Sequence, residues 1–218
     1  MAHSMQTNKV LAGKGGNQMR EIRNGAMDLM LPASGVGLGL GLSAMYAEGN
    51  KKFKDETMEI HGTRFGTLTY QKEDIIQMED GLLGFPLSKR YLLFPYSEES
   101  SFFWLQSIDE PEIAFIVVNP FEFFADLEIV IEDHDAIAIE LKNQEDVELF
   151  SLVIIPEGKP EEMRTNLAGP VVVNATNRKG RQILLKDYSP RQPLIPDNMR
   201  ESYRREKLLV PNRRMAQK

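Results

Sequence analysis

Cysteine is absent from all 218 residues, which excludes disulfides, thiolate metal sites and cysteine nucleophiles and fits a reducing cytoplasm. Histidine is nearly absent: His3, His61 and His134 are too scattered to give a pair with metal-ligand spacing. Long apolar runs are scarce as well. The best candidate, Met27–Ala47, follows basic residues at Lys14, Arg20 and Arg23, as a signal peptide or membrane span would. Asp28, Pro32 and glycines at 35, 37, 39 and 41 lower its helix propensity. A cleavage pattern is missing too, because Met45 stands where a small residue is needed before a cut after Ala47. Gly35–Gly41 does not match G-x-G-x-x-G, since Leu40 occupies the third glycine position, and it lacks the lysine of a P-loop. The segment reads as a poorly ordered or locally packed extension with no membrane or nucleotide role. Met1–Ser4 ahead of Met5 reads as a cloning remnant.

Basic charge is scarce in the middle of the chain. Residues 58–199 carry 12 basic and 25 acidic groups, a net of −13. Residues 1–57 have a net of +2 and residues 200–218 a net of +5. An acidic body disfavours nucleic acid and suits a basic protein partner.

What the chain has is a succession of short β-type runs. The central one is Phe102–Phe124, with six of the eleven phenylalanines and the only tryptophan. Phe102–Ile108 and Ile113–Val118 are aromatic and β-branched, and the acidic break Asp109–Glu112 makes them two paired strands. Strand patterning begins at Met58 and runs to Tyr70, with Gly62 and Gly66 at bends or bulges. Further strands are expected at Asp74–Glu79, Tyr91–Pro95, Leu127–Ile131, Ala136–Leu141 and Val147–Ile155. A late hairpin joins Leu167–Ala175 to Arg181–Lys186. Glu161–Asn166 is a weak helix candidate, and Met199–Lys218 has the basic spacing of a short amphipathic helix that docks on the acidic body or of a solvated tail. The fold class is mainly β: a small antiparallel β-barrel or sandwich over residues 58–198, with residues 1–57 as an extension and 199–218 as a basic tail.

Nothing in the pattern assembles a catalytic site. The carboxylates fall in turns and on alternating strand positions, and neither His61 nor His134 has the context of a positioned base. The acidic turn Glu132–Asp135 lacks the glycine and the terminal glutamate of a calcium loop. No catalytic residue, metal ligand or cofactor is therefore assigned. A binding feature remains. Asp109–Glu148 holds 13 acidic residues and one basic residue, Lys142, and it surrounds Asn119-Pro120-Phe121-Glu122-Phe123-Phe124. Apolar anchors within an acidic rim are what a hot spot for a basic partner requires.

Residues 58–197 resemble the FliW family of flagellar assembly factors. The resemblance rests on Phe65-Gly66, Asp74-Ile75-Ile76, Glu79–Phe85 (EDGLLGF), Leu105-Gln106-Ser107, Ala114–Phe121 (AFIVVNPF), Thr165–Asn174 (TNLAGPVVVN), Gly180–Leu185 (GRQILL), Tyr188 and Arg191–Leu194 (RQPL) in that order. It implies a small β-barrel-like, non-catalytic protein of the bacterial cytoplasm, a monomer with no cofactor and no membrane contact. Its implied partners are flagellin and the basic RNA-binding regulator CsrA, whose sequestration frees flagellin translation. It also implies that a chain of this family starts near Met58. Strand alternation plus the acidic rim, and no transferred site map, place partner contact at Asn119, Pro120, Phe121, Glu122, Phe124 and Asp126. For Phe121 and Phe124, burial in the core competes with that role. A nucleic-acid-binding β-barrel is the alternative function, and it needs a basic groove that the body does not supply.

Overall fold

The computed structural model describes residues 10–12, 57–97 and 100–209. The glycine-rich stretch 27–47 and the end of the tail lie outside the described residues.

In chain order, the described elements begin with β1 (Val10–Ala12) and a hairpin of β2 (Met58–Thr63) and β3 (Gly66–Tyr70). It continues through β4 (Ile75–Met78), β5 (Arg90–Pro95), β6 (Phe102–Ser107) and β7 (Ala114–Val118). Next come β8 (Ile129–Ile131), helix α1 (Asp133–Ala138) and β9 (Val147–Ile154). The last elements are β10 (Arg164–Thr165), β11 (Val171–Asn174), β12 (Lys179–Gln182), β13 (Gln192–Pro193) and helix α2 (Asp197–Leu209). Seven strands close a barrel in the order β4-β5-β6-β7-β9-β11-β12. Neighbours are antiparallel except at the closure, where β12 runs parallel to β4 with Lys179 opposite Gln77 and Gly180 opposite Met78. A side chain at Gly180 would bring Cβ to 3.0 Å from Ile76 Cγ2 and 3.4 Å from Met78 Cγ, so a small residue lets the closing strands approach.

Alternation along the strands sorts the apolar side chains. Ile76, Met78, Tyr91, Leu105, Val117, Phe150, Val171 and Val173 fill the barrel interior. The intervening positions face outward and are covered by three layers. The β2–β3 hairpin packs Ile60 and Tyr70 on Ile75 and Leu92. Its turn presses Phe65 edge-on to Trp104, with ring centroids 5.1 Å apart, and Arg64 lies over the same indole at 4.6 Å. β8 and α1 pack Ile129, Ile131, Ala136 and Ile139 on Leu149 and Val172. The C-terminal segment packs Met163 and Leu194 on Phe102 and Val118. The acidic break of the central pair is anchored at Asp109, whose carboxylate accepts hydrogen bonds from Lys89 N, Arg90 N and Arg90 Nε at 2.7–2.8 Å. Partial burial pulls its pKa up, but these donors and the Arg90 charge outweigh that and leave it below the usual value.

Three expectations are corrected. Ala136–Leu141 is not a strand: α1 occupies Asp133–Ala138, with acidic residues in its first turn. Ala136 and Ile139 are buried while Ile137 is 74% exposed, which is a helical rather than a two-residue period. Glu161–Asn166 is not a helix either, because one 3₁₀ turn at Pro160–Glu162 gives way to β10. Asn119–Phe124 is not extended but turns through a 3₁₀ turn at Pro120–Glu122. The central pair, β9 and the late hairpin form as expected, with the hairpin strands shorter at Val171–Asn174 and Lys179–Gln182. Among the described residues, no helix is long and apolar enough to cross a membrane.

Candidate interaction surface

The segment after β7 is set by Asn119 and Pro120. Asn119 Oδ1 accepts from Phe121 N at 3.0 Å, and Pro120 supplies a first turn residue whose missing N–H is not needed. Pro120 O then accepts from Phe123 N at 3.1 Å and Phe124 N at 3.0 Å. The resulting turn points its aromatics inward. Phe121 and Phe124 lean on the β8–α1 layer, and Phe123 meets Phe102 edge-on at 6.0 Å. The acids point outward: Glu122, Asp126 and Glu128 are all exposed.

Of the six residues expected to touch a partner, only Glu122 and Asp126 are exposed. Asn119, Phe121 and Phe124 are half-buried, and Pro120 is buried. The exposure inferred from strand alternation fails because the backbone turns after Asn119. Pro120 is thereby corrected to a buried shaping residue. Asn119, Phe121 and Glu122 nonetheless come together with Leu93, Phe103 and Phe150 along a cleft of about 230 Å³. Glu148 lies on the same cleft. Half-exposed aromatics beside carboxylates are suited to an apolar side chain flanked by a cation.

The acidic character survives folding. Of the carboxylates in Asp109–Glu148, residues Glu112, Glu122, Asp126, Glu128, Glu132, Glu140 and Glu145 are exposed. Asp135 is the exception: it is buried and takes Arg181 Nε at 2.8 Å, while the same guanidinium reaches Asp80 at 3.0 Å. Among the described residues, no group of three or more histidine, aspartate or glutamate side chains is placed to hold a metal ion.

A second exposed feature was not foreseen. Leu83, Ile137 and Leu184 are 61–74% exposed, on three segments tied together by Arg181 and Gln182. Gln182 Oε1 accepts from Leu83 N at 2.8 Å. Leu82 beside Leu83 is buried, and the sequence holds no periodicity there to tell which of the two faces out.

Comparison with known proteins agrees with this architecture. The family model described as FliW protein matches residues 59–194. A protein of Magnetococcus marinus named flagellar assembly factor FliW is 71% identical over 143 residues, which are 66% of this chain and 88% of that one. A Natranaerobius thermophilus protein of the same name is 36% identical over 142 residues, covering 64% of this chain and 94% of its own. A solved structure, described as the crystal structure of the flagellar assembly factor FliW, superposes with a TM-score of 0.58 at 26% identity. It covers 64% of this chain and 99% of the other. With its barrel, covering layers and turn all inside the matched residues, the chain belongs to the FliW family.

Proposed function

We propose that this protein is a non-catalytic flagellar assembly factor of the bacterial cytoplasm that binds CsrA and flagellin. Capture of CsrA frees flagellin translation, and flagellin awaiting secretion competes for the protein, so synthesis follows export. The relatives' shared name, flagellar assembly factor FliW, supports the process. The observation that carries the partner class is the exposed acidic ridge Glu122, Asp126 and Glu128 beside the cleft lined by Asn119, Phe121 and Glu122. A basic RNA-binding regulator is the kind of partner such a ridge attracts.

The test is calorimetric titration of the full chain with CsrA and, separately, with flagellin monomer at low and high salt. CsrA binding that weakens with salt, and that Glu122→Lys with Asp126→Lys reduces at least about tenfold, supports the reading. Unchanged binding of the double variant would move the contact elsewhere. RNA retained by the protein alone would favour the nucleic-acid alternative.

A further inference from the structure

Among the described residues, β8 is the one strand of the covering layers whose main chain is served from outside the family body. Ile129 and Ile131 are fully buried against the barrel, so side-chain packing fixes the strand in place. Packing satisfies no backbone group, however, and among the described residues β8 pairs with no barrel strand. Its strand partner is β1, antiparallel, with Val10 opposite Ile131, Leu11 opposite Val130 and Ala12 opposite Ile129. β1 lies well before residue 59, where the match to the family model begins. The edge therefore belongs to the shared fold, and the strand that fills it belongs to the extension.

An immobilised strand with an open edge is a template for an added strand. The sequences on either side are complementary. Val10-Leu11-Ala12 is bracketed by Lys9 and Lys14, and β8 is bracketed by Glu128 and Glu132, both exposed. We propose that the β8 edge is a strand-addition site for an extended apolar peptide with basic flanks. Val10–Ala12 is its tethered occupant, a built-in competitor that a partner's segment must displace. The site adjoins the cleft at Asn119–Glu122, since Phe121 packs on the same layer as Ile129 and Ile131, but it is read through the main chain of β8 and does not depend on the identity of the partners proposed above.

The experiment uses the full chain with Leu11→Pro and, separately, Ala12→Pro. Alternate residues of an antiparallel strand donate to the ladder, so one of two adjacent prolines removes a pairing N–H. Hydrogen exchange is followed at Ile129–Ile131 and in β6 as an internal control. A fluorescent peptide of residues 8–15 is titrated into each protein, alongside the same peptide with Lys9→Glu and Lys14→Glu. At least one proline variant is expected to speed exchange at Ile129–Ile131 tenfold or more, with β6 unchanged, on the order of the loss of a local ladder. The same variant is expected to bind the peptide about tenfold more tightly than the wild type, because the tethered competitor is gone. The charge-reversed peptide is expected to bind weakly to both. Unchanged exchange in both variants, or faster exchange with no gain in peptide binding, overturns the proposal. So does a wild-type dimer that either proline dissociates, because the occupant of β8 is then the segment of a second copy.

Discussion

Gly81 sits in the loop after β4 with φ of +69°, and a Cβ there would lie 2.5 Å from Phe85 O and 2.8 Å from Ser88 O. Two separate costs therefore fall on any substitution, left-handed backbone strain and collision with backbone that has no rotamer to move. Gly84, three residues on, has φ of +88° but open space around it, so only the first cost applies. Gly81→Ala is expected to lower unfolding stability by about 3 kcal/mol and Gly84→Ala by about 1 kcal/mol, measured by urea denaturation. Equal losses would mean that the loop relaxes and the close approach is not needed. Tyr91 makes a different residue-scale case. It is fully buried, and its hydroxyl has no hydrogen-bond partner among the described residues. Burial pushes its pKa up to about 12, and Glu110 and Asp109 add to the rise; Ser88 favours the phenolate somewhat without reaching hydrogen-bond geometry. The folded protein thus holds this proton where the unfolded chain releases it. Stability from this group is complete below pH 10 and is lost as the pH rises toward 12. In Tyr91→Phe, that fall should be smaller than in the wild type by about 2–3 kcal/mol, with neutral-pH stability unchanged or improved, because no hydrogen bond is removed. A parallel alkaline decline in both proteins would show that Tyr91 is not the titrating group.

At the scale of elements, α2 tests whether the basic tail is a bound part of the fold. Arg204 Nε meets Glu161 at 2.9 Å, and the Glu161 side chain is only 7% exposed. Burial raises the Tyr203 pKa, and the nearby Glu161 charge adds to it. Arg204→Glu places like charges together at a buried carboxylate and should release α2, seen as faster hydrogen exchange over Asp197–Arg205 with the barrel strands unchanged. Exchange equal to the wild type would mean that packing alone holds the helix. The tail's helix was legible in arginines at near-helical spacing, but the same spacing suits a solvated tail, and it is the Arg204–Glu161 contact that decides for docking. Other elements were legible for equally local reasons. Val147–Ile154 is a strand-forming run, apolar but for Glu148 and Ser151, that is too short for a helix of the core, and the paired strands at Trp104 and Ile116 were separated by a proline in an acidic break. α1 was missed because Ile137, Ile139 and Leu141 alternate with polar or small residues and so imitate a strand, while what decides the outcome is burial of Ala136 and Ile139 against Leu149 and Val172. That contact comes from distant parts of the chain. The turn at Pro120–Glu122 was missed for the opposite reason, since it is local: the Asn119 cap on Phe121 N was readable as an asparagine before a proline, but the aromatics that follow imitate a continuing strand. Of the candidate contact residues, the exposure of Glu122 and Asp126 was therefore legible, and that of Asn119, Pro120, Phe121 and Phe124 was misjudged.

For the molecule as a whole, charge and shape are divided between different parts. The barrel is closed, so it offers no open edge among its seven strands, and the surfaces proposed for recognition lie on what is laid over it: the turn after β7 and the edge of β8. The body's net charge of −13 then acts at two ranges. At long range it raises the rate at which a basic partner arrives, and salt screens this contribution. At short range it matters only where a carboxylate is desolvated in the complex. Glu122 and Asp126 are exposed, and Glu122 alone of the two lines the cleft. Reversing Asp126 should therefore act mainly on arrival, lowering the association rate of CsrA severalfold, on the order of what a rim charge contributes, with little change in dissociation. Reversing Glu122 should also speed dissociation, because its charge is removed from a surface that closes on the partner. Stopped-flow association and dissociation rates at two salt concentrations separate the cases. If both variants change only the association rate, and high salt abolishes the difference, then the cleft is not in the contact and the acidic ridge serves as a steering surface for a partner seated elsewhere.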